Sequence, residues 1–301
     1  MLTRTALNNN GPEYFLGRFL NKTMRHRVVN LVIYDEAHEH ERLMRSELTR
    51  LARHTSDVTQ LFVSMSPRCD AVHQRDGVLY VPGRESYVPG ILHKTLEAMA
   101  YCARHLAFDF IVRSNISTVI DFERLPLHEL TDKLVYASAY MWNKDDRSRA
   151  FASGTNIILN RAAVDFMLLH RGRMRRDTID DVAIGALMSS ATIARELSTK
   201  MVWNDESVVQ GAVFRNRSDD RYEDVARMRR IVDRIIATRV APTGLAGPKG
   251  PTGPKGHEGL TAHRAVVALI ATALFTALLF LILSGSRAPG SQALIQSERG
   301  G

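Results

Sequence analysis

Short runs of β-branched and aromatic residues, each followed by a longer segment with apolar residues at helical spacing, constrain the middle of this chain most. VVNLVIY (28–34) stops at Asp35-Glu36 and is followed by the charged pattern HEHERLMRSELTRLARH. QLFVSMS (60–66) is a second such run, GILHKTLEAMAYCARH (90–105) sets Leu92, Leu96, Met99 and Ala103 at helical spacing, and FDFIV follows. FASGTNIILNRAAVDFMLLH adds a turn, a strand and a helix, and TIDDVAIGALM a polar turn opening another helix. Val, Ile and Phe suit a pleated surface, so this alternation predicts an α/β sandwich with a largely parallel sheet. Ligands of such sheets bind beyond the carboxyl ends of the strands, which puts Asp35 and the turn Arg113-Ser114-Asn115-Ile116-Ser117 on one rim.

The end of the chain follows other rules. Glycine recurs at 244, 247, 250, 253, 256 and 259 in GLAGPKGPTGPKGHEGLT, the period that a collagen triple helix requires at its crowded axis. A flexible Gly/Pro linker is the plain alternative. Ala265 to Leu283 has no charge and no proline, and at about 1.5 Å per residue it spans the roughly 30 Å of a bilayer core. Lys249, Lys255, His263 and Arg264 precede it, against Arg287 and Arg299 after it, so the positive-inside tendency puts the large domain in the cytoplasm on a C-terminal anchor. Before the repeat, Val225, Met228, Val232 and Ile235 form an amphipathic stripe, which either seeds a trimer or packs on its own domain. The expected organisation is an extension (1–26), an α/β domain (27–220), an amphipathic helix (221–240), a collagen-like repeat (241–261), a transmembrane helix (264–284) and a tail (285–301).

The net charge of +8 suits anionic partners such as nucleotide diphosphates or headgroups. No zinc spacing, helix-turn-helix signature or aromatic-interleaved basic motif accompanies it, so a nucleic-acid partner is not expected. The two cysteines, Cys69 and Cys102, have no paired spacing, which argues against a disulfide framework or a cysteine-rich metal site. The N-terminal MLTRTALNNNGPEY lacks the apolar run of a secretory signal.

Several motifs in order resemble the inverting β-1,3-galactosyltransferases and fringe-like enzymes. ESYVPGILHKTLEAMAYCA is similar to their acidic-Ser-Tyr segment leading into a helix with Lys-Thr-Leu, FASGTNIILNRAAV to their Ser-Gly-Gly-Tyr-Val-Leu-Ser-Arg, and IDDVAIG to their Glu-Asp-Val-x-x-Gly. The resemblance covers roughly residues 28–200. It implies a GT-A fold (an αβα sandwich with a mostly parallel sheet), a nucleotide-sugar donor, a glycan or glycoprotein acceptor, and transfer with inversion. A glycosyltransferase-like domain beside collagen-like triplets also resembles proteins of large DNA viruses, implying a host or virion membrane.

In that family the third strand ends in Lys-Thr-Asp-x-Asp, whose aspartates hold the metal that bridges the donor diphosphate. Here Arg113 and Ser114 fall on Lys-Thr, and Asn115 and Ser117 on the two aspartate positions. Neutral Asn and Ser are poor ligands for Mn²⁺ or Mg²⁺. Three explanations stay open. Cationic groups, Arg113 or the HRGRMRR segment (170–176), could stabilise the leaving diphosphate without metal, HRGRMRR being otherwise a solvated helix face. Asp35 or Asp121 could supply a ligand instead. The domain could have lost catalysis and kept sugar binding. Without the resemblance, Asn115 and Ser117 read as a local Asx or Ser turn.

By the resemblance Asp181 is the base that deprotonates the acceptor hydroxyl. Asp180 beside it either caps the next helix or raises the pKa of its neighbour. Ser153-Gly154 either lets backbone approach donor or acceptor or is a plain turn before the strand NIILN. Lys94 either reaches phosphate or, as a lysine on a helix surface, faces solvent; Tyr34 and Asp35 stand by position to meet base or ribose; Trp142 and Trp203 either stack on an acceptor sugar or pack as core or lid. Asn21, Asn115 and Asn216 open glycosylation sequons, used only if the domain is lumenal. A structural membrane protein in which the repeat trimerises is the remaining alternative.

Overall fold

The computed structural model describes residues 26–240 except 144 and 147–149. The expected collagen-like repeat, transmembrane helix, tail, most of the N-terminal extension and the Asn21 sequon lie outside the described residues. Among the described residues, no helix is long and apolar enough to cross a membrane.

The first half of the domain is β1 (Val28–Ile33), α1 (Glu39–Ala52), β2 (Val58–Ser66), β3 (His73–Arg75), β4 (Val78–Pro82), α2 (Gly90–His105), β5 (Phe110–Asn115) and β6 (Thr118–Ile120). The second half is β7 (Tyr136–Ser138), β8 (Met141–Trp142), β9 (Phe151–Ala152), β10 (Asn156–Asn160), α3 (Arg161–Leu169), α4 (Asp180–Met188), β11 (Arg195–Glu196), β12 (Met201–Trp203), β13 (Val213–Arg215) and α5 (Arg221–Val240).

Eight strands form one sheet in the order β11-β7-β10-β5-β1-β2-β4-β3. Its centre, β5-β1-β2-β4, is parallel, as the strand–helix alternation predicts. The sheet as a whole is mixed, because β10 runs antiparallel to both β5 and β7, and β3 antiparallel to β4. Helices cover both faces. Leu31 and Ile33 of β1 pack with Leu92, Leu96 and Met99 of α2 on one side, while Val32 packs with Met44, Leu48 and Leu51 of α1 on the other. A strand turns successive side chains to opposite faces, so a buried central strand must be apolar on both; all six residues of β1 are buried and five are apolar. The exception is Asn30, whose amide is met by neighbours on its own face.

The amphipathic stripe of α5 is covered by the chain's own core. Val225, Met228, Ile231, Val232 and Ile235 are buried in the same cluster as the apolar residues of α1. Each such burial is worth about 1.5–3 kcal/mol, so this face closes the α1 side of the sheet and is not free to seed a trimer.

The chain leaves β1 for β2 on one side and returns through α2 to β5 on the other, which makes the gap between the carboxyl ends of β1 and β5 a topological switch point. A separate small sheet, β12-β13-β6, folds over this end of the molecule.

Candidate active site

An open pocket of about 960 Å³ lies at the switch point. It is lined by residues that follow β1, leave β5 and open α4, together with the ends of β12 and β13. Of the sequence-predicted residues, Tyr34, Asp35, Lys94, Arg113, Asn115, Ser117, Ser153, Gly154, Asp180 and Asp181 all line it.

Arg113 organises the floor. It is 2% exposed, on the α2 side of β5, because odd-numbered residues of that strand face that way along with Ile111. Its Nη1 donates to Asn115 Oδ1 at 2.7 Å and to the carbonyl of Gly154, and its Nη2 lies 2.7 Å from Asp180 Oδ2. Asp180 is only 5% exposed, so this is a buried ion pair. The expectation that Asp180 caps α4 is overturned. Ile179 holds the N-cap position without a side-chain cap, and both aspartates sit in the first turn. There the carboxylates are favoured by the helix dipole, and Asp180 is engaged by the Arg113 guanidinium opposite in place of a capping role.

Asp181 lies beside this pair. Gly154 N–H donates to its Oδ2 at 3.2 Å and Val182 N–H to its Oδ1 at 2.9 Å. Burial, and then the neighbouring Asp180 charge, push the Asp181 carboxyl above its ordinary value. Gly154 is required for the approach: a Cβ there would stand 2.8 Å from Arg113 Nη1 and 3.3 Å from Asp181 Oδ2. Gly185, one turn on in α4, serves packing, since a Cβ would stand 2.3 Å from Phe151 Cβ and 3.2 Å from its backbone.

The wall beyond β1 is neutralised internally. Lys94 is 2% exposed, and its Nζ donates to Glu85 Oε2 at 2.7 Å and to the carbonyl of Tyr34 at 2.9 Å. The acidic residue and the lysine of ESYVPGILHK therefore hold one another. Lys94 offers no free charge to a phosphate; its carboxylate partner already satisfies it. The Tyr34 side chain turns away into the α1 cluster, where Arg45 lies 5.7 Å over its ring, and leaves its carbonyl toward the pocket. Asp35 accepts from Ala37 N–H at 3.0 Å and faces His38 Nε2 at 3.5 Å. Glu41, which the sequence reading passed over, accepts from Asp35 N–H at 2.7 Å, and burial raises its carboxyl pKa.

Ser114 does not join the site. As an even-numbered residue of β5 it faces the other side and donates to Asn30 Oδ1 at 2.9 Å. Asn115 and Ser117 do line the pocket at the turn between β5 and β6, but their side chains bond to arginines and not to local backbone: Asn115 accepts from Arg113, and Ser117 Oγ accepts from Arg215 Nη1 at 2.5 Å. The residues at the two expected metal positions therefore do not fit Mn²⁺ or Mg²⁺. They are neutral, and each presents its oxygen to a guanidinium, a positive charge where a cation would have to sit. Among the described residues no group of three or more His, Cys, Asp or Glu could hold a metal ion. Asp121, the other acid considered, is buried behind the site against Arg239 at 2.5 Å and Arg124 at 3.5 Å and does not line the pocket.

Of the two readings of HRGRMRR, the solvated face is the one observed. The arginines of HRGRMRR lie on the surface, with Arg171 on Glu97 and Arg175 on Asp177, while Met174 alone of the segment anchors it in the core. Beside Arg113 and Lys94, the pocket takes cations from the end of β13 and the residues that follow it: Arg215, Arg217 and Arg221 all line it. Arg221 is paired with Asp224. Arg215 is 7% exposed, and burial followed by Arg217, Arg221 and Arg113 lowers its pKa to about 9, so it is still charged at neutral pH. Only the basic pair in VFRNR hinted at this, and nothing local in the sequence ties it to Ser117.

Trp142 and Trp203 stand half exposed on the rim, with Tyr140 edge-on to each at centroid separations of 5.0 and 6.5 Å. Two sequons fall in this region and suit no glycan: Asn115 is engaged in the pocket and Asn216 is fully buried.

No protein-family model and no curated protein matches the sequence. Among solved structures the chain is similar to the glycosyltransferase GlyE of Streptococcus pneumoniae TIGR4 (TM-score 0.40, 11% identity, 71% of this chain and 63% of that one). It is similar also to the galactosyltransferase LgtC in complex with donor and acceptor sugar analogs (TM-score 0.39, 8% identity, 68% and 95%). A third is the mannosyltransferase PcManGT from Pyrobaculum calidifontis in complex with GDP-Man and Mn²⁺ (TM-score 0.38, 16% identity, 61% and 60%). The chain thus spans about three fifths of the GlyE and PcManGT chains, and at these TM-scores the reading of the pocket stands on its own residues.

Proposed function

We propose that this chain is a GT-A-type glycosyltransferase that moves a sugar from a nucleotide-sugar donor, a UDP-sugar by the motif resemblance, to a hydroxyl of a glycan or glycoprotein acceptor. Transfer proceeds with inversion. In this reading the domain faces the cytoplasm and the apolar C-terminal run anchors it to a membrane.

The observation that carries the reading is Asp181. It is a carboxylate at the floor of a switch-point pocket, oriented by two backbone N–H groups and made more basic by burial and by Asp180. Each of its oxygens keeps a lone pair beyond the N–H it accepts, so it can receive a proton from an acceptor hydroxyl. As that proton leaves, the hydroxyl oxygen bonds to the anomeric carbon. The bond from that carbon to the donor phosphate breaks on the opposite side, and its electron pair departs with the nucleoside diphosphate. Arg113 holds Asp180 in place beside Asp181. The aromatic rim of Trp142, Tyr140 and Trp203 offers flat apolar faces of the kind that pack on a sugar ring.

The test is Asp181→Asn in the full chain in detergent, assayed by mass spectrometry against a panel of nucleotide sugars and acceptors, with donor binding followed by calorimetry. Removing a general base should lower turnover on the order of 10²–10⁴-fold and leave donor affinity within a few-fold. Turnover within tenfold of the parent chain would remove Asp181 from this role. A parent chain that binds donors but turns over none would leave a sugar-binding module as the better reading.

A further inference from the structure

The notable group in the pocket is one that the proposed transfer does not yet use. Arg215 is 7% exposed, yet among the described residues no carboxylate lies within ion-pairing distance of it. The other buried or half-buried cations around the pocket are matched: Lys94 by Glu85, Arg113 by Asp180 and Arg221 by Asp224. Arg217, exposed at the same wall, also has no acidic partner. A guanidinium taken out of water without a counter-ion is costly, and folds retain one where something anionic completes it.

Its position is fixed by backbone. β13 runs antiparallel to β6 with Arg215 opposite Thr118, and Asn216 N–H donates to the Ser117 carbonyl at 2.9 Å. Nη1 then reaches Ser117 Oγ at 2.5 Å and Thr118 Oγ1 at 3.4 Å. Both acceptors are neutral hydroxyls, which hold the group in place without cancelling its charge. The remaining N–H groups of the fork have no protein acceptor among the described residues, and the planar fork suits a bidentate phosphate.

We propose that Arg215, assisted by Arg217, is a preorganised diphosphate subsite that occupies the place of a divalent cation, so that the donor diphosphate is bound and released without metal. The proposal rests on the transferase reading for the identity of its ligand, and its chemistry is that of a nucleoside diphosphate or of free pyrophosphate. The charge that a bridging metal would supply at residue 117 comes instead from the strand opposite, fixed before the donor arrives, so little reorganisation accompanies the build-up of negative charge on the leaving group.

The experiment is calorimetric binding of UDP and of inorganic pyrophosphate to the full chain in detergent, with excess chelator and with Mn²⁺. It compares the parent chain, Arg215→Met, Arg215→Lys and Arg217→Ala. Expected are affinities for the parent chain equal within about threefold in the two conditions, and weakening on the order of 30-fold or more in Arg215→Met. Arg217→Ala should weaken binding only a few-fold, as an exposed charge. Arg215→Lys should fall between, since an ammonium keeps the charge but loses the fork. It also decides the matter if Arg215→Met fails to fold, because a purely structural arginine would give a folded Lys variant of unchanged affinity. Binding that requires Mn²⁺, or that survives Arg215→Met undiminished, overturns the subsite. Pyrophosphate binding that depends on Arg215, together with no turnover of any nucleotide sugar, would keep the subsite and bring down the transferase reading. Turnover abolished by chelator and restored by Mn²⁺ would do the reverse.

Discussion

Replacing Arg113 by methionine tests the architecture of the site without reference to its substrate. The substitution keeps most of the apolar stem and removes the guanidinium from three acceptors at once: Asp180, Asn115 Oδ1 and the Gly154 carbonyl. Asp180, 5% exposed, is then a buried carboxylate without its cation. Breaking a buried pair from one side costs about 3–5 kcal/mol, most of it from the charge left behind. A domain of this size loses about 2–4 °C of melting temperature per kcal/mol, so the midpoint should fall by about 6–20 °C. The same reasoning makes Arg113→Met and Asp180→Asn non-additive. Once the carboxylate is neutral, losing the guanidinium matters less, and the double variant should be more stable than the sum of the singles by about 1–3 kcal/mol. Urea unfolding of the four chains, followed by fluorescence and circular dichroism, reads the cycle. A single variant within about 1 kcal/mol of the parent, or strict additivity, would show that the pair is not the buried contact described here.

Gly154→Ala should lower the melting temperature, because the added carbon meets Arg113 Nη1 at 2.8 Å and that nitrogen is held by its own partners; overpacking of this kind costs about 1–3 kcal/mol. With the Arg113–Asp180–Asp181 geometry displaced, transfer should drop on the order of 10²-fold, read as kcat in the same assay. The raised pKa of Asp181 gives a signed pH dependence: activity should climb with pH through a value above the ordinary 3.8, where the base becomes ionised. Stability should move the other way. Folded Asp181 holds its proton more tightly than the unfolded chain does, so the folded state binds more protons between the two pKa values and stability falls as pH rises through that window. The melting temperature of Asp181→Asn minus that of the parent should therefore grow across it, and a difference independent of pH would contradict the burial described.

What the sequence made legible was local. The apolar runs of β1, β2 and β5 announce themselves by composition, and the period-2 rule then fixes that Arg113 and Asn115 share a face. The same rule, applied one residue further, would have sent Ser114 to the opposite face, and it was the motif alignment that drew it into the site. Asp180 shows the limit of capping logic: the pattern of a polar residue before an apolar helix is the same whether the carboxylate turns to backbone or to an arginine 67 positions earlier, and only the fold supplies that arginine. The basic segments show the same limit. HRGRMRR is the denser cluster along the chain but sits on the surface, whereas the functional charge comes from Arg215, brought to Ser117 by the pairing of β13 with β6. A contact across 98 residues leaves no periodic trace for sequence reasoning to follow.

The order in which the chain is made gives the small β12-β13-β6 sheet a further consequence. Asp35, Arg113 and Asp181 are all synthesised before β13, but the wall carrying Arg215 and the helix that seals the α1 face come last. A nascent chain emerging up to α4 would have its carboxylates and no uncompensated cation, a half-built cleft that repels anions. Contacts of such long sequence separation form late and slowly. Nucleotide recognition is thereby tied to completion of the domain, and an anionic ligand present during synthesis would stabilise only chains whose final strand and helix have docked.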